Sequence, residues 1–470
     1  MKRTKIVATL GPSSSKESII EELIKEGVNV FRINASHGTH EEHKERIETV
    51  RKLSKKLNKN ISILLDLQGP KIRVGEFEKG EVELKEGDEF ILTSKDILGN
   101  GKIVSISYKE LPKDVHPGVH LLLDDGALEL EVVETDGENI KTKVIRGGIL
   151  KNRKGINVRG AELKISSITE KDRVDIDFGL KEGVDFFALS FVRKACDIIS
   201  LRKIIESKGK NIPIVAKIEK YEAIKNLDEI IDASDGVMVA RGDLGIEAPI
   251  EEVALLQKRI IKRALRKGKF SITATQMLDS MIERPYPTRA EVSDITNAIF
   301  DGTDAVMLSG ETASGKYPVE AVRVMRRIAE RVEPELPYEK RIMEMERVVS
   351  SVIPDSISYA GVFVALNTKA SLIVTATETG KTAIRISRFR PNVPILAITP
   401  CEKVAKLLSI YWGVYPVVVE RFKDTQDMVE KISLETKKSP FVKKGDLVVY
   451  LSGVIPGVAG GTNLLRVERL

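Results

Sequence analysis

From Lys5 onward, short runs of β-branched and aliphatic residues alternate with longer stretches whose apolar positions recur every three or four residues, the pattern of parallel strands joined by helices. Eight such strands are predicted outside one long interruption, at 4–10, 28–34, 61–66, 186–191, 213–218, 237–240, 270–275 and 305–309. Between the second and third, Thr39 and Glu42 have the spacing of a capping box, and Ile47, Val50, Leu53 and Leu57 follow on one helical face. The segment Lys25-Glu26-Gly27-Val28-Asn29-Val30-Phe31 is echoed by Lys181-Glu182-Gly183-Val184-Asp185-Phe186-Phe187. Each copy reads as a helix end, a glycine cap and a buried strand. Eight strand-helix units predict an α/β protein built on a (β/α)8 TIM barrel, in which polar residues at strand C-termini form the site.

The interruption spans 74–160, where Gly87-Asp88, Asp125-Gly126 and Asp136-Gly137 separate short alternating strands. It reads as a small all-β domain, a β-barrel lid, inserted at the site face where closure would exclude water. After residue 336 a new series begins: a helix ending near Asn367, strands at 372–376, 395–399, 417–419 and 446–451, and helices from Lys381 and Glu402. This is the pattern of a doubly wound α/β domain. The expected division is barrel at 1–73 and 161–336, lid at 74–160, and α/β domain at 337–470.

Composition narrows the function classes. At 470 residues, with 42% hydrophobic and 31% charged, the chain has the make-up of a multidomain globular protein. No apolar run approaches the roughly 18 residues of a membrane span. Met1-Lys2-Arg3-Thr4-Lys5 is followed by too few apolar residues for a signal peptide, so a cytoplasmic location is expected. Cys196 and Cys401 offer no disulfide framework or thiolate cluster. The net charge of +6 is spread along the chain, which suits small anionic ligands and gives no footprint for nucleic acid.

The candidate chemistry sits at strand ends. Lys217 closes the apolar run Ile214-Val215-Ala216, so its ammonium should point into the barrel mouth, where burial without a partner would be costly. Glu219 and Asp243 can supply hard oxygens to Mg²⁺, although a plain Lys217–Glu219 ion pair is the simpler alternative. Arg32 can grip a phosphate, with Asn34 and Ser36 offering oxygens beside it. Asp66, the Gly69-Pro70 turn, Lys71 and Arg73 form a charged group after the third strand, and Thr275 ends the seventh. His37, His40 and His43 are spaced for a metal, yet without matching ligands they read as surface helix histidines. Thr375 to Thr382 joins a strand to a helix start, a ready anion site that lacks the first glycine of a P-loop.

Together, FRINASHG, LDLQGPKIR, KGINVRG, KIEK, RGDLG, ATQMLDSM, RPYPTRAEVSD and MLSGETA resemble the pyruvate kinase family in order and spacing, over essentially the whole chain. The resemblance implies Mg²⁺-dependent phosphoryl transfer from phosphoenolpyruvate to ADP, giving pyruvate and ATP, with Mn²⁺ able to substitute. It implies that Lys217 stabilises the phosphoryl group in flight, that Arg32 contacts it, and that Glu219 and Asp243 hold the metal. Gly242, Asp243 and Thr275 would bind the substrate carboxylate, Thr275 also helping to protonate the enolate. Asn34, Ser36, His37, Arg73 and Lys154 would face the nucleotide. Many members bind K⁺ through positions matching Asn34, Ser36, Asp66 and the Leu67 carbonyl, and carry Glu where this chain has Lys71. The chain resembles the potassium-independent branch, with the Lys71 ammonium expected in the cation's place.

The resemblance further implies a sugar-phosphate or AMP effector at Thr377, Thr379, Gly380, Lys381 and Thr382, and a homotetramer. Gly460 to Asn463 also match the family's ending. Two other readings stay open on the residues: a barrel lyase or aldolase acting on phosphoenolpyruvate, which would not need Arg73, Lys154 or a lid, and a non-catalytic sensor that keeps only the C-terminal site.

Overall fold

The computed structural model describes residues 1–347, 349–453 and 461–470. Among them, strands Lys5–Thr9, Val30–Asn34, Ser62–Asp66, Phe186–Leu189, Ile214–Ile218, Gly236–Ala240, Phe270–Ala274 and Ala305–Leu308 close in chain order into a parallel barrel. Lys5 pairs with Ala305 to seal the first strand against the eighth. The strands are buried on both faces, so they read as continuous apolar runs. Thr39, Thr169 and Thr288 each cap a barrel helix, accepting the backbone N–H of the acidic residue three positions on. The echoed glycines Gly27 and Gly183 both adopt positive φ, at 103° and 69°, as a helix-terminating turn requires.

The interior of the barrel does not end at its own floor. Phe186 packs edge-on against Phe270, with centroids 5.7 Å apart, and Phe270 against Tyr411 of the C-terminal domain at 5.3 Å. Val7, Met238 and Ile272 belong to the same buried cluster as Ile373, Leu408 and Val449. The C-terminal domain therefore supplies the plug for the end of the barrel opposite the site. The buried pair Arg390–Asp304, at 2.8 Å, ties the seam, and Asp304 also accepts the Trp412 N–H at 3.0 Å.

Between the third and fourth barrel strands lie a six-stranded sheet, running from Ile156–Arg159 through His120–Leu123, Leu128–Thr135, Asn139–Arg146 and Glu89–Thr93 to Ile103–Ser105, and a ribbon of Glu81–Leu84 with Gly148–Lys151. The expected small β-barrel is thus realised as two sheets around one apolar core that includes Phe90, Leu121 and Leu130. Arg159 Nη2 donates to the carbonyl of Ile246 at 2.8 Å, which brings this domain down onto the helix Arg241–Glu247 at the barrel mouth.

The C-terminal sheet has strands Val414–Val418, Ile395–Thr399, Leu372–Ala376 and Leu447–Ser452 in parallel, with Leu464–Arg469 antiparallel at its edge. The strand expected at 417–419 begins at Val414. It is an edge strand that accommodates Pro416, whose ring hid it from periodicity. Gly460 lies outside the described residues. No helix among the described residues is long and apolar enough to cross a membrane.

Candidate active site

Asp66 and Asn34 end neighbouring strands in register, and Lys217 and Glu219 leave a strand two places further round. Arg32 Nε donates to Asp66 Oδ2 at 2.7 Å, and Lys217 Nζ lies 3.3 Å from Asp66 Oδ1 and 2.8 Å from Glu219 Oε1. The Lys217 side chain is 12% exposed, and Asp66 and Glu219 are 1% and 2% exposed. Burial works against the Lys217 ammonium, but Asp66 and Glu219 more than offset it and raise its pKa. Burial likewise opposes the Asp66 carboxylate, which Lys217 and Arg32 hold below the ordinary range. The Lys217–Glu219 ion pair, the simpler alternative, is present as one link of a four-residue network that keeps the lysine charged at the mouth.

Sequence reasoning did not single out Ser190 or Phe191. The Ser190 hydroxyl donates to the Leu67 carbonyl at 2.7 Å and accepts from Lys217 Nζ at 2.8 Å. The Phe191 N–H donates to Glu219 Oε2 at 2.8 Å from a backbone with φ of 56°. The available signal was Ser190-Phe191 following a barrel strand, the position where site residues gather.

Asp243 stands in the first turn of the helix Arg241–Glu247. Burial and the charge of Glu219 push its carboxyl up to about 6, against the pull of Lys217 and Lys71. The Glu219 charge acting on the Asp243 carboxyl marks two acidic groups close together, a donor set suited to a divalent cation, with remaining coordination positions left to water and substrate oxygens. Beside them, the Gly242 N–H donates to Thr275 Oγ1 at 2.8 Å. The predicted carboxylate-binding residues are therefore brought together.

The residues expected to face a nucleotide line the rim. Ser36 and His37 are exposed after the second strand, and the Ser36 N–H donates to Asn34 Oδ1 at 3.1 Å. Arg73 bridges to Gly155, its Nη1 donating to the Arg153 carbonyl at 3.0 Å, and Lys154 pairs with Asp124 at 2.8 Å. Lys71 does not take the expected place among Asn34, Ser36 and Asp66, and its side chain makes no hydrogen bond or ion pair among the described residues. Its stem runs instead beside Gly155, where an added Cβ would lie 3.0 Å from Lys71 Cε. Asp66 already carries two cations, so the acidic oxygens there do not call for a third.

The histidines divide. His37 is exposed, and His40 stacks on Phe178 at 4.3 Å and pairs with Asp175 at 2.7 Å. His43, expected on the helix surface, is 3% exposed. It sits four residues before Ile47 and so belongs to the helix's buried stripe. In the C-terminal domain, the Thr377 hydroxyl accepts the Gly380 N–H at 2.9 Å, and Thr382 and Thr462 hydroxyls bond at 2.6 Å. Thr379 and Lys381 are exposed beside them, at the start of the helix Lys381–Arg388.

Comparison with known proteins places the chain in a family. Family models described as pyruvate kinase, barrel domain, and pyruvate kinase, alpha/beta domain, match residues 1–322 and 355–468. The pyruvate kinase of Clostridium acetobutylicum is 46% identical over 470 residues, covering 100% of this chain and 99% of the relative. That of Geobacillus stearothermophilus is also 46% identical, over 99% of this chain and 80% of its own. A crystal structure of a pyruvate kinase from Cryptosporidium parvum superposes with a TM-score of 0.95 at 38% identity, covering 100% of this chain and 96% of that one. The chain belongs to the pyruvate kinase family, enzymes that transfer a phosphoryl group between phosphoenolpyruvate and ADP in the last step of glycolysis.

Proposed function

We propose that the network of Arg32, Asp66, Lys217 and Glu219, with Asp243 alongside, is the phosphoryl-transfer centre of this chain. The observation that carries the reading is a buried lysine kept charged by two acids at the mouth of the barrel. In the forward reaction the enol C–O–P linkage breaks at phosphorus, and the phosphoryl group passes to the terminal oxygen of ADP. Lys217 and Arg32 face the negative charge that develops on the group in flight, fixed in place before the reaction begins. Glu219 and Asp243 hold the divalent cation, which supplies charge neutralisation to substrate oxygens. The backbone amides around Gly242 and Asp243 and the Thr275 hydroxyl take the substrate carboxylate and keep the enolate oriented, the Gly242 N–H and the hydroxyl turning to it from the bonds they make to each other and to the Ala274 carbonyl in the free site. The enolate then gains a proton at its terminal carbon, which makes the transfer irreversible in practice. Arg73 and Lys154 meet the ADP phosphates from the lid side, with Asn34, Ser36 and His37 on the opposite rim.

Turnover proceeds without K⁺, because Arg32 and Lys217 already balance Asp66 and the charge of Lys71 bears on Asp243. The test is pyruvate release from phosphoenolpyruvate, with and without ADP, in Mg²⁺ buffer free of K⁺, for this chain and for Lys217→Met. ADP-dependent release that falls by about 10²- to 10³-fold in the variant is the expected result. Release without ADP would point to a lyase. Release only after K⁺ is added at constant ionic strength would refute the balance argued for Asp66.

The loop holding Thr377, Thr379, Gly380, Lys381 and Thr382 is the proposed effector site, for a sugar phosphate or AMP, in a cytoplasmic homotetramer. The helix start and the paired hydroxyls support that reading. Unchanged affinity and cooperativity for phosphoenolpyruvate under saturating sugar phosphates and AMP would reduce the loop to a helix cap.

A further inference from the structure

Thr275 and Gln276 leave the seventh barrel strand with φ of 67° and 54°. Neither is glycine and threonine is β-branched, so two consecutive left-handed residues persist only if the surroundings enforce them. One side chain bonds to three successive carbonyls along this path. Arg241 Nη2 donates to the carbonyl of Thr275 at 2.6 Å and to that of Gln276 at 3.3 Å, while its Nε donates to Ala274 at 3.3 Å. Nη1 pairs with Asp294, and the arginine side chain is 10% exposed. A planar fork of donors that spans three successive carbonyls fixes a backbone path in a way a lysine cannot.

The same residue adjoins the other half of the site. Arg241 precedes Gly242 and Asp243, and the Gly242 N–H is bonded to the Thr275 hydroxyl. That hydroxyl donates in turn to the Ala274 carbonyl at 2.6 Å, the oxygen that Arg241 Nε also approaches. Arg241 thus sets where the hydroxyl sits and shares the acceptor that holds its proton.

We propose that Arg241, anchored by Asp294, is the positioning residue for protonation of the enolate. The proposal rests on the assignment of Thr275 to that step. A proton delivered through the Thr275 hydroxyl forms the new C–H bond with the carbon–carbon π pair, an oxygen lone pair of the enolate closes the ketone, and water returns a proton to the threonine oxygen. Without the clamp, the 274–276 segment relaxes toward right-handed geometry and the hydroxyl moves off the enolate carbon.

The proton step can be read alone, as exchange of the pyruvate methyl hydrogens with D₂O in the presence of Mg²⁺ and ATP, followed by proton NMR. Arg241→Met is expected to slow exchange about 30-fold, with KM for ADP changed less than about threefold. On a Thr275→Ala background the same change should slow exchange less than about threefold, because residues acting as one unit are not additive. Exchange by Arg241→Met within about threefold of the parent, or losses that multiply in the double variant, would overturn the clamp. Thr275→Ala exchanging at the parent rate would instead overturn the assignment of Thr275, and the proposal with it. If Arg241→Met does not fold, Asp294→Asn decides: slowing of about fivefold at unchanged KM for ADP supports the clamp, and parental exchange refutes it.

Discussion

Asp66 is held by two cations, Arg32 at 2.7 Å and Lys217 at 3.3 Å, and is 1% exposed. Its charge is what makes a buried lysine tolerable at this position. Asp66→Asn leaves the shape and removes the charge, so Lys217 is then left with Glu219 alone and Arg32 loses its acidic partner. The expected result is a loss of about 3 kcal/mol in unfolding free energy, measured by denaturant titration, together with a fall in activity. A variant as stable as the parent would show that Glu219 alone suffices. At this scale Lys217, Glu219 and Asp243 stood out in the sequence because charged residues closing apolar strands are costly to bury unless a partner or a ligand meets them. Arg241 did not, because its partner Asp294 lies 53 residues away and its other acceptors are backbone carbonyls, which carry no sequence signature.

Among the elements, the loop after the third strand shows how a turn serves the site. Gly69 has φ of 67°, and a Cβ there would lie 2.9 Å from the Phe191 ring. Phe191 in turn offers the N–H that holds Glu219 at 2.8 Å. Gly69→Ala therefore costs about 1 to 3 kcal/mol in strain and also shifts a proposed metal-holding carboxylate. The expected outcome is a raised Mg²⁺ requirement in turnover assays beyond what the stability loss explains; an unchanged Mg²⁺ dependence would separate the turn from the site. Most barrel strands were legible to within a residue or two because both their faces are buried. The closing strand Leu464–Arg469 was not: it alternates leucine and valine with Arg466, Glu468 and Arg469 on an exposed edge, and its pairing partner is fixed only by the tertiary fold.

Across the whole molecule, the seam between barrel and C-terminal domain carries buried charge. Lys5 donates to the Val414 carbonyl at 2.5 Å and lies 4.5 Å from the centre of the Tyr415 ring. Burial, aided by Lys2 and opposed by Glu333 and Asp304, lowers its pKa from 10.5 to about 7. Lys2, held by Asn29, is lowered to about 8, again chiefly by burial. Between these values and 10.5 the unfolded chain binds more protons than the folded one, so stability rises with pH through that window. Each group contributes a slope of about 1.4 kcal/mol per pH unit at most. Above pH 10 the trend reverses, since Tyr411 and Tyr415 are pushed up by burial and ionise first in the unfolded chain. Denaturant midpoints at pH 7 and pH 9 should therefore differ in favour of pH 9. A Lys5→Met chain should show a smaller difference, and an equal one would clear Lys5 of the effect.

The plug formed by Tyr411 also has a consequence for biosynthesis. The eighth barrel strand ends at Leu308, and the ring that seals the far end of the barrel belongs to a residue made much later. At roughly 5 to 20 residues per second, about a hundred further residues take on the order of 5 to 20 s to synthesise. For that interval a nascent chain with all eight strands already made presents Phe270 and its neighbours to the solvent or to whatever binds apolar surfaces at the ribosome exit. A chain stalled before Tyr411 would have every residue proposed for phosphoryl transfer, yet lack the floor beneath them.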